Sequence, residues 1–157
     1  MQPFQLRDAT RDDLGRTYEI TRDAMRAYVE QTWGRWDERG HRQKHQHNYT
    51  PETHRLIEVG NAVAGLVAVE QLPDHVWLAK LYLLLAFRGL GIGAAVIAHV
   101  LQEADRRGVP VRLRVLRVNT RAQALYARHG FRVVYETPER IFMERPVRMA
   151  DVRSEKS

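Results

Sequence analysis

Arg88-Gly89-Leu90-Gly91-Ile92-Gly93 follows an apolar, strand-like run from Leu81 to Leu85 and opens a segment with helical spacing, Ile92 to Arg107. Three glycines at alternate positions suit neither a strand nor the interior of a helix. They suit a turn in which the backbone comes very close to something. At a strand-to-helix junction the amide N–H groups of such a turn point into the positive end of the following helix. That is an anion site, and phosphate is its usual guest. The other reading is a tight turn whose glycines serve only helix packing.

Two phosphate-binding patterns fail at this stretch. The dinucleotide fingerprint G-x-G-x-x-G, started at Gly91, needs a third glycine where Val96 stands. The nucleotide-triphosphate loop needs a lysine after its last glycine, and none follows Gly93. What remains is R-x-x-G-x-G, which resembles the acyl-coenzyme A pyrophosphate loop of the GNAT superfamily of N-acetyltransferases.

A second block decides between the cofactor loop and the plain turn. The run from Asn119 to Phe131 resembles the superfamily's N-x-x-A-x-x-L-Y-x-x-x-G-F pattern. Asn119, Ala122, Leu125, Tyr126, Gly130 and Phe131 match in register. One helix and one strand separate it from the glycine loop. Together the blocks cover roughly Leu81 to Phe131. The resemblance implies an α/β (α+β) GNAT fold: a mixed, mostly antiparallel central sheet with splayed fourth and fifth strands, flanked by helices, with coenzyme A in the gap.

The element order read from the residues agrees. Phe4 to Arg7 reads as a strand, and Thr10 as an N-cap with Asp13 as the capping-box acid, opening a helix from Arg11 to about Ala27. Asp37 to His47 reads as a second helix or helical loop. Arg55–Val59 and Ala62–Gln71 read as a hairpin around Gly60-Asn61, of type II′. Val76 to Leu84 is a fourth strand after the Pro73-Asp74 turn. The helix from Gly91 stops at Gly108 and Pro110. Val111 to Val118 is a fifth strand, Ala122 to Arg128 a short helix, and Phe131–Tyr135 with Ile141–Glu144 a last strand pair. The unit from Val76 to Val118 should be parallel and right-handed. The expectation is one domain over residues 1–148, with 149–157 a flexible tail.

Composition sets the bounds. The chain has 157 residues, no cysteine and a formal net charge of +6. Disulfides, thiolate catalysis and cysteine-ligated metals are excluded. No apolar run approaches the ~20 residues of a membrane span, and Met1 to Arg7 lacks an apolar signal core, so a cytoplasmic location is expected. The charge favours anionic partners, but no nucleic-acid signature accompanies it.

The resemblance assigns roles by position. Leu83 corresponds to the strand position whose backbone pairs with the pantetheine arm. Arg88, Gly89, Leu90, Gly91, Ile92, Gly93 and Ala94 would hold the pyrophosphate of acetyl-CoA. Asn119 would contact the pantetheine region, with Ala122 and Tyr126 completing the cofactor set. Tyr126 corresponds to the frequent general acid to the sulfur; its other reading is an aromatic packed under the cofactor. The reaction moves an acyl group directly from thioester to a neutral amine, so a base or solvent must take a proton first.

Some relatives keep a glutamate base on the fifth strand, where this chain has Arg114. Glu70 and Glu136 are possible substitutes, and no base is assigned. Leu85 and Ala86 also stand where a proline and a polar residue are common. Tyr28, Trp33 and Trp36 read either as a wall of the acceptor pocket or as a helix pair covering the sheet. Arg112 and Arg114 share a strand face, and Arg114 suits an acceptor with an anionic group. His41, His45 and His47 lack a completing ligand, so a polar surface helix is expected and no metal site. The activity expected is N-acetylation of a small-molecule or peptide amine, with a non-catalytic acyl-CoA-binding module as alternative. Neither nucleic acid nor membrane is an expected partner, and a homodimer is one assembly considered.

Overall fold

The computed structural model describes residues 3–148, so the tail expected at 149–157 lies outside the described residues. The chain runs β1 (Gln5–Asp8), α1 (Leu14–Trp33), α2 (Glu38–Asn48), β2 (His54–Val59), β3 (Ala62–Gln71), β4 (Val76–Leu83), α3 (Ile92–Arg107), β5 (Val111–Leu116), α4 (Thr120–Arg128), β6 (Arg132–Glu136) and β7 (Arg140–Arg145). The strands form one seven-stranded sheet in the order β1-β2-β3-β4-β5-β7-β6. The pairs β1–β2, β2–β3, β5–β7 and β6–β7 are antiparallel. The short connection from β3 to β4 cannot accommodate a parallel crossover. β4 and β5 pair in parallel through Val76↔Val111 and Trp77↔Arg112. The mixed, mostly antiparallel sheet is therefore as the sequence implied. Two compact units divide the chain, one from residues 3–69 and 78–93, the other from 70–77 and 94–148.

In the first unit the Asp13 carboxylate accepts from the Thr10 N–H at 2.9 Å, the acid half of the expected capping box. It also accepts from both terminal nitrogens of Arg7 at 3.3 Å. A short 3-10 turn, Arg11–Asp13, precedes α1 proper. The helix runs on to Trp33, past the expected end near Ala27, because no glycine or proline interrupts it between Ala27 and Gly34. Gly34 has φ 94 and its N–H closes on the Glu30 carbonyl. Tyr18, Ile20, Leu56, Ile57, Leu66 and Val67 are buried. Gly60 turns the β2–β3 hairpin at φ 61, while among the described residues no non-glycine has positive φ. A positive φ at the first central position alone is the type II′ pattern.

In the second unit α3 buries Val96, Ile97, Val100, Leu101 and Ala104. It ends as the sequence indicated: Gly108, at φ 71, donates to the Asp105 carbonyl, and Val109 donates to Ala104. These two bonds are the Schellman pair. β5 buries Val111, Leu113 and Val115 and stops at Leu116, two residues short of expectation. The N–H of Arg117 still reaches the Glu139 carbonyl at 2.8 Å, and its guanidinium lies against the β6–β7 connection. It donates to the carbonyls of Pro138 at 3.1 Å and Thr137 at 2.7 Å, and to Glu136 at 2.9 Å. The N–H of Asn119 then closes the turn on the Leu116 carbonyl.

Candidate functional site

The residues singled out by sequence fall in both units. In the first, Leu83 ends β4, and its carbonyl accepts the Nε–H of Arg88 at 2.9 Å. The N–H of Leu84 bonds back to Ala64 in β3 at 2.8 Å. A 3-10 turn, Leu85–Phe87, lies between, closed by Phe87 N–H to the Leu84 carbonyl. Leu85 is exposed. Arg88 is extended (φ −81, ψ 153), and Gly89 and Gly91 follow at φ 75 and 83. Only glycine adopts that region freely.

Gly93 is different. It has no positive φ and lies in the first turn of α3. Two of the three glycines are therefore demanded by the backbone itself, and the third is not. Leu90 is exposed, Ile92 is buried and Ala94 half-buried. The first-turn amides of a helix have no intrahelical acceptor, and Arg88 gives its Nε–H to Leu83. A turn of this kind can hold an anion by N–H groups, helix dipole and guanidinium together.

The aromatic stretch divides. Tyr28 is half-buried and Trp33 exposed on α1, whereas Trp36 is buried and stacks on His41 at 3.8 Å. Its Nε1–H donates to Glu38. Trp36 is thus committed to packing between α1 and α2.

Sequence reasoning missed a buried polar group in this unit. His45, expected on a polar surface, is buried and hydrogen-bonded to Thr17. Tyr49 stacks on it and meets the ring of His54 edge-on. The Nδ1–H of His54 donates to the Thr50 carbonyl at 2.8 Å, and its buried Nε2 has no hydrogen-bond partner among the described residues. Burial, then the Lys80 charge, pushes both imidazoles down to about 4. Burial likewise lowers the Lys80 ammonium to about 8. Helix α2 has no apolar stripe, so no periodicity could have flagged His45. Among the described residues, no group of three or more His, Cys, Asp or Glu is placed to hold a metal ion.

In the second unit Asn119 caps α4: its Oδ1 accepts from the Ala122 N–H at 3.1 Å. Tyr126 is buried on α4, its ring edge-on to Phe131 at 5.5 Å. Arg112 lies opposite Glu144 across β5 and β7 and donates to it at 2.8 Å. That arginine is occupied structurally. Arg114 is exposed and stands opposite Phe142. Of the two candidate bases, Glu136 is paired with Arg117 and Glu70 is exposed at the end of β3.

Comparison with known proteins bears on both units. Among solved structures, the PaiA N-acetyltransferase of Thermoplasma acidophilum, in complex with coenzyme A, aligns with a TM-score of 0.74 at 17% identity, over 92% of this chain and 99% of that one. The ribosomal-protein-S18-alanine N-acetyltransferase of Escherichia coli aligns at 0.70 and 21% identity, over 94% and 96%. An acetyltransferase of Thermus thermophilus aligns at 0.73 and 18%, over 94% and 98%. At such identities these likenesses speak for the fold. Comparison with curated protein sequences gave no match. The profile of the acetyltransferase (GNAT) family matches residues 14–131, spanning α1, the glycine loop and the Asn119–Phe131 block, and the chain belongs to that family.

Proposed function

We propose that this protein is an acetyl-CoA-dependent N-acetyltransferase that moves the acetyl group directly onto a primary amine of a small molecule or peptide. The observation that carries the reading is the loop after β4. A strand-end carbonyl latches Arg88, two left-handed glycines follow, and a helix begins. In this reading residues 88–94 hold the pyrophosphate, the backbone at Leu83 pairs with the pantetheine arm, and Asn119 and Ala122 belong to the cofactor set. Tyr126 protonates the departing thiolate. Family membership and the coenzyme A complex of the PaiA neighbour support this. Titration calorimetry with acetyl-CoA tests it: absence of heat at ~1 mM ligand, a very weak association on the affinity scale, rejects it.

One feature favours a second reading, an acyl-CoA-binding module without turnover. Arg114 cannot serve as a base, and Glu136 is held by Arg117. Release of free thiol over a panel of amines separates the two, since a module binds acetyl-CoA and releases none. If turnover is found, Arg114 favours an acceptor with a carboxylate or phosphate beside its amine, with Tyr28 and Trp33 as apolar wall. Preference for polyamines over acidic amines rejects that refinement.

A further inference from the structure

Gly65 sits in the buried middle of β3, between Ala64 and Leu66. A glycine there weakens a strand unless another backbone must come close. One does. A Cβ at position 65 would lie 2.1 Å from the Tyr82 carbonyl oxygen, 3.0 Å from Leu83 Cδ2 and 3.1 Å from Leu83 Cα. In a regular pair, strands run about 4.8 Å apart and side chains stand clear of the partner's backbone. The end of β4 has therefore risen over the face of β3. The ladder still holds beside it, since Leu84 N–H reaches the Ala64 carbonyl at 2.8 Å. Immediately beyond the crossing, the Leu83 carbonyl receives Arg88.

We propose that Gly65 is a positioning residue for the acyl-CoA loop: its missing side chain admits the Tyr82–Leu83 backbone and so sets where the Leu83 carbonyl catches Arg88. The ligand in this statement rests on the function proposed above; the coupling of Gly65 to the loop does not. An added methyl cannot be absorbed by a rotamer change, because the atom it meets is a backbone oxygen. β4 has to move, and the latch moves with it.

The test uses the full chain and two readouts. In ligand-free Gly65→Ala, amide hydrogen exchange over residues 84–91 is expected to speed up while α4 is unchanged. Acetyl-CoA affinity should fall by about tenfold or more, as misplaced binding groups do. Gly15→Ala adds a methyl that meets nothing within 4 Å and serves as the control. Should Gly65→Ala fail to fold, Arg88→Ala removes the latch without adding bulk to the sheet, and the same segment should exchange faster. A folded Gly65→Ala with wild-type exchange and affinity overturns the proposal, and so does Arg88→Ala with unchanged exchange over 84–91. If the wild type binds no acetyl-CoA, the function reading fails while the exchange readout still decides the role of Gly65.

Discussion

Thr17 Oγ1 lies 2.9 Å from His45 Nε2 and also donates its one proton to the Leu14 carbonyl at 3.1 Å. The hydroxyl, with one proton and two lone pairs, serves both partners. The bond ties α1 to α2 across 28 positions of sequence. Thr17→Val keeps the shape and removes the hydroxyl, leaving the buried Nε2 of His45 without this bond. The expected loss is about 1–3 kcal/mol, read from urea denaturation. Thr17→Ser should retain most of it. A valine variant as stable as wild type would show that the bond contributes nothing.

The same histidines set an acid limit. Their folded-state pKa of about 4 lies below the ordinary 6.5, through burial and then the Lys80 charge. Arg42 adds to the effect at His45. Between these values the unfolded chain binds protons that the folded chain does not, so stability is complete above pH 6.5 and falls as pH drops toward 4. The slope approaches about 1.4 kcal/mol per pH unit for each histidine. Lys80 acts elsewhere: its lowered pKa makes stability rise between pH 8 and 10.5 and adds no slope in the acid window. Urea midpoints at about pH 7, 6 and 5, which straddle the ordinary histidine pKa, measure the effect. His54→Leu should flatten the curve, and a wild-type midpoint constant across that range contradicts the assignment.

Gly91→Val should lose acetyl-CoA binding. At φ 83 a side chain is strained by roughly 1–2 kcal/mol, and a β-branched one by more. Gly93→Ala is a separate question, since Gly93 has no positive φ and lies in α3. Alanine there should favour the helix by up to about 1 kcal/mol. Gly93 is buried, so any loss of affinity in that variant reports crowding at this position and not backbone strain. Calorimetry on both variants, with circular dichroism to verify folding, makes the comparison.

Tyr126→Phe keeps the ring against Phe131 and removes only the hydroxyl. If the hydroxyl protonates the departing thiolate, kcat should fall by about 10²–10⁴-fold with acetyl-CoA affinity unchanged. Steady-state kinetics with any accepted amine decides. Turnover within about twofold of wild type, far less than general-acid removal causes, assigns Tyr126 to packing.

What the sequence by itself determined is local. Gly60-Asn61, the Thr10–Asp13 cap, Gly108 after α3 and Gly89 and Gly91 after β4 each answer a backbone requirement met within a few residues. Their roles can be read without knowing the neighbours across the sheet. The element order followed from such signals, and the family from the resemblance of the glycine loop and the Asn119–Phe131 block to known motifs. What only the tertiary structure decided is non-local. Arg117 ties its guanidinium to the carbonyls of Thr137 and Pro138, Arg112 is neutralised by Glu144, and His45 is buried because Thr17 and Tyr49 surround it. Gly65 looks like a weak point in a strand until the Tyr82 carbonyl is found 2.1 Å from where its side chain would stand. Arginine, histidine and glycine are each compatible with several environments. Which one they occupy depends on a partner that folding brings from as far as 32 positions away, and no window along the chain contains that partner's geometry.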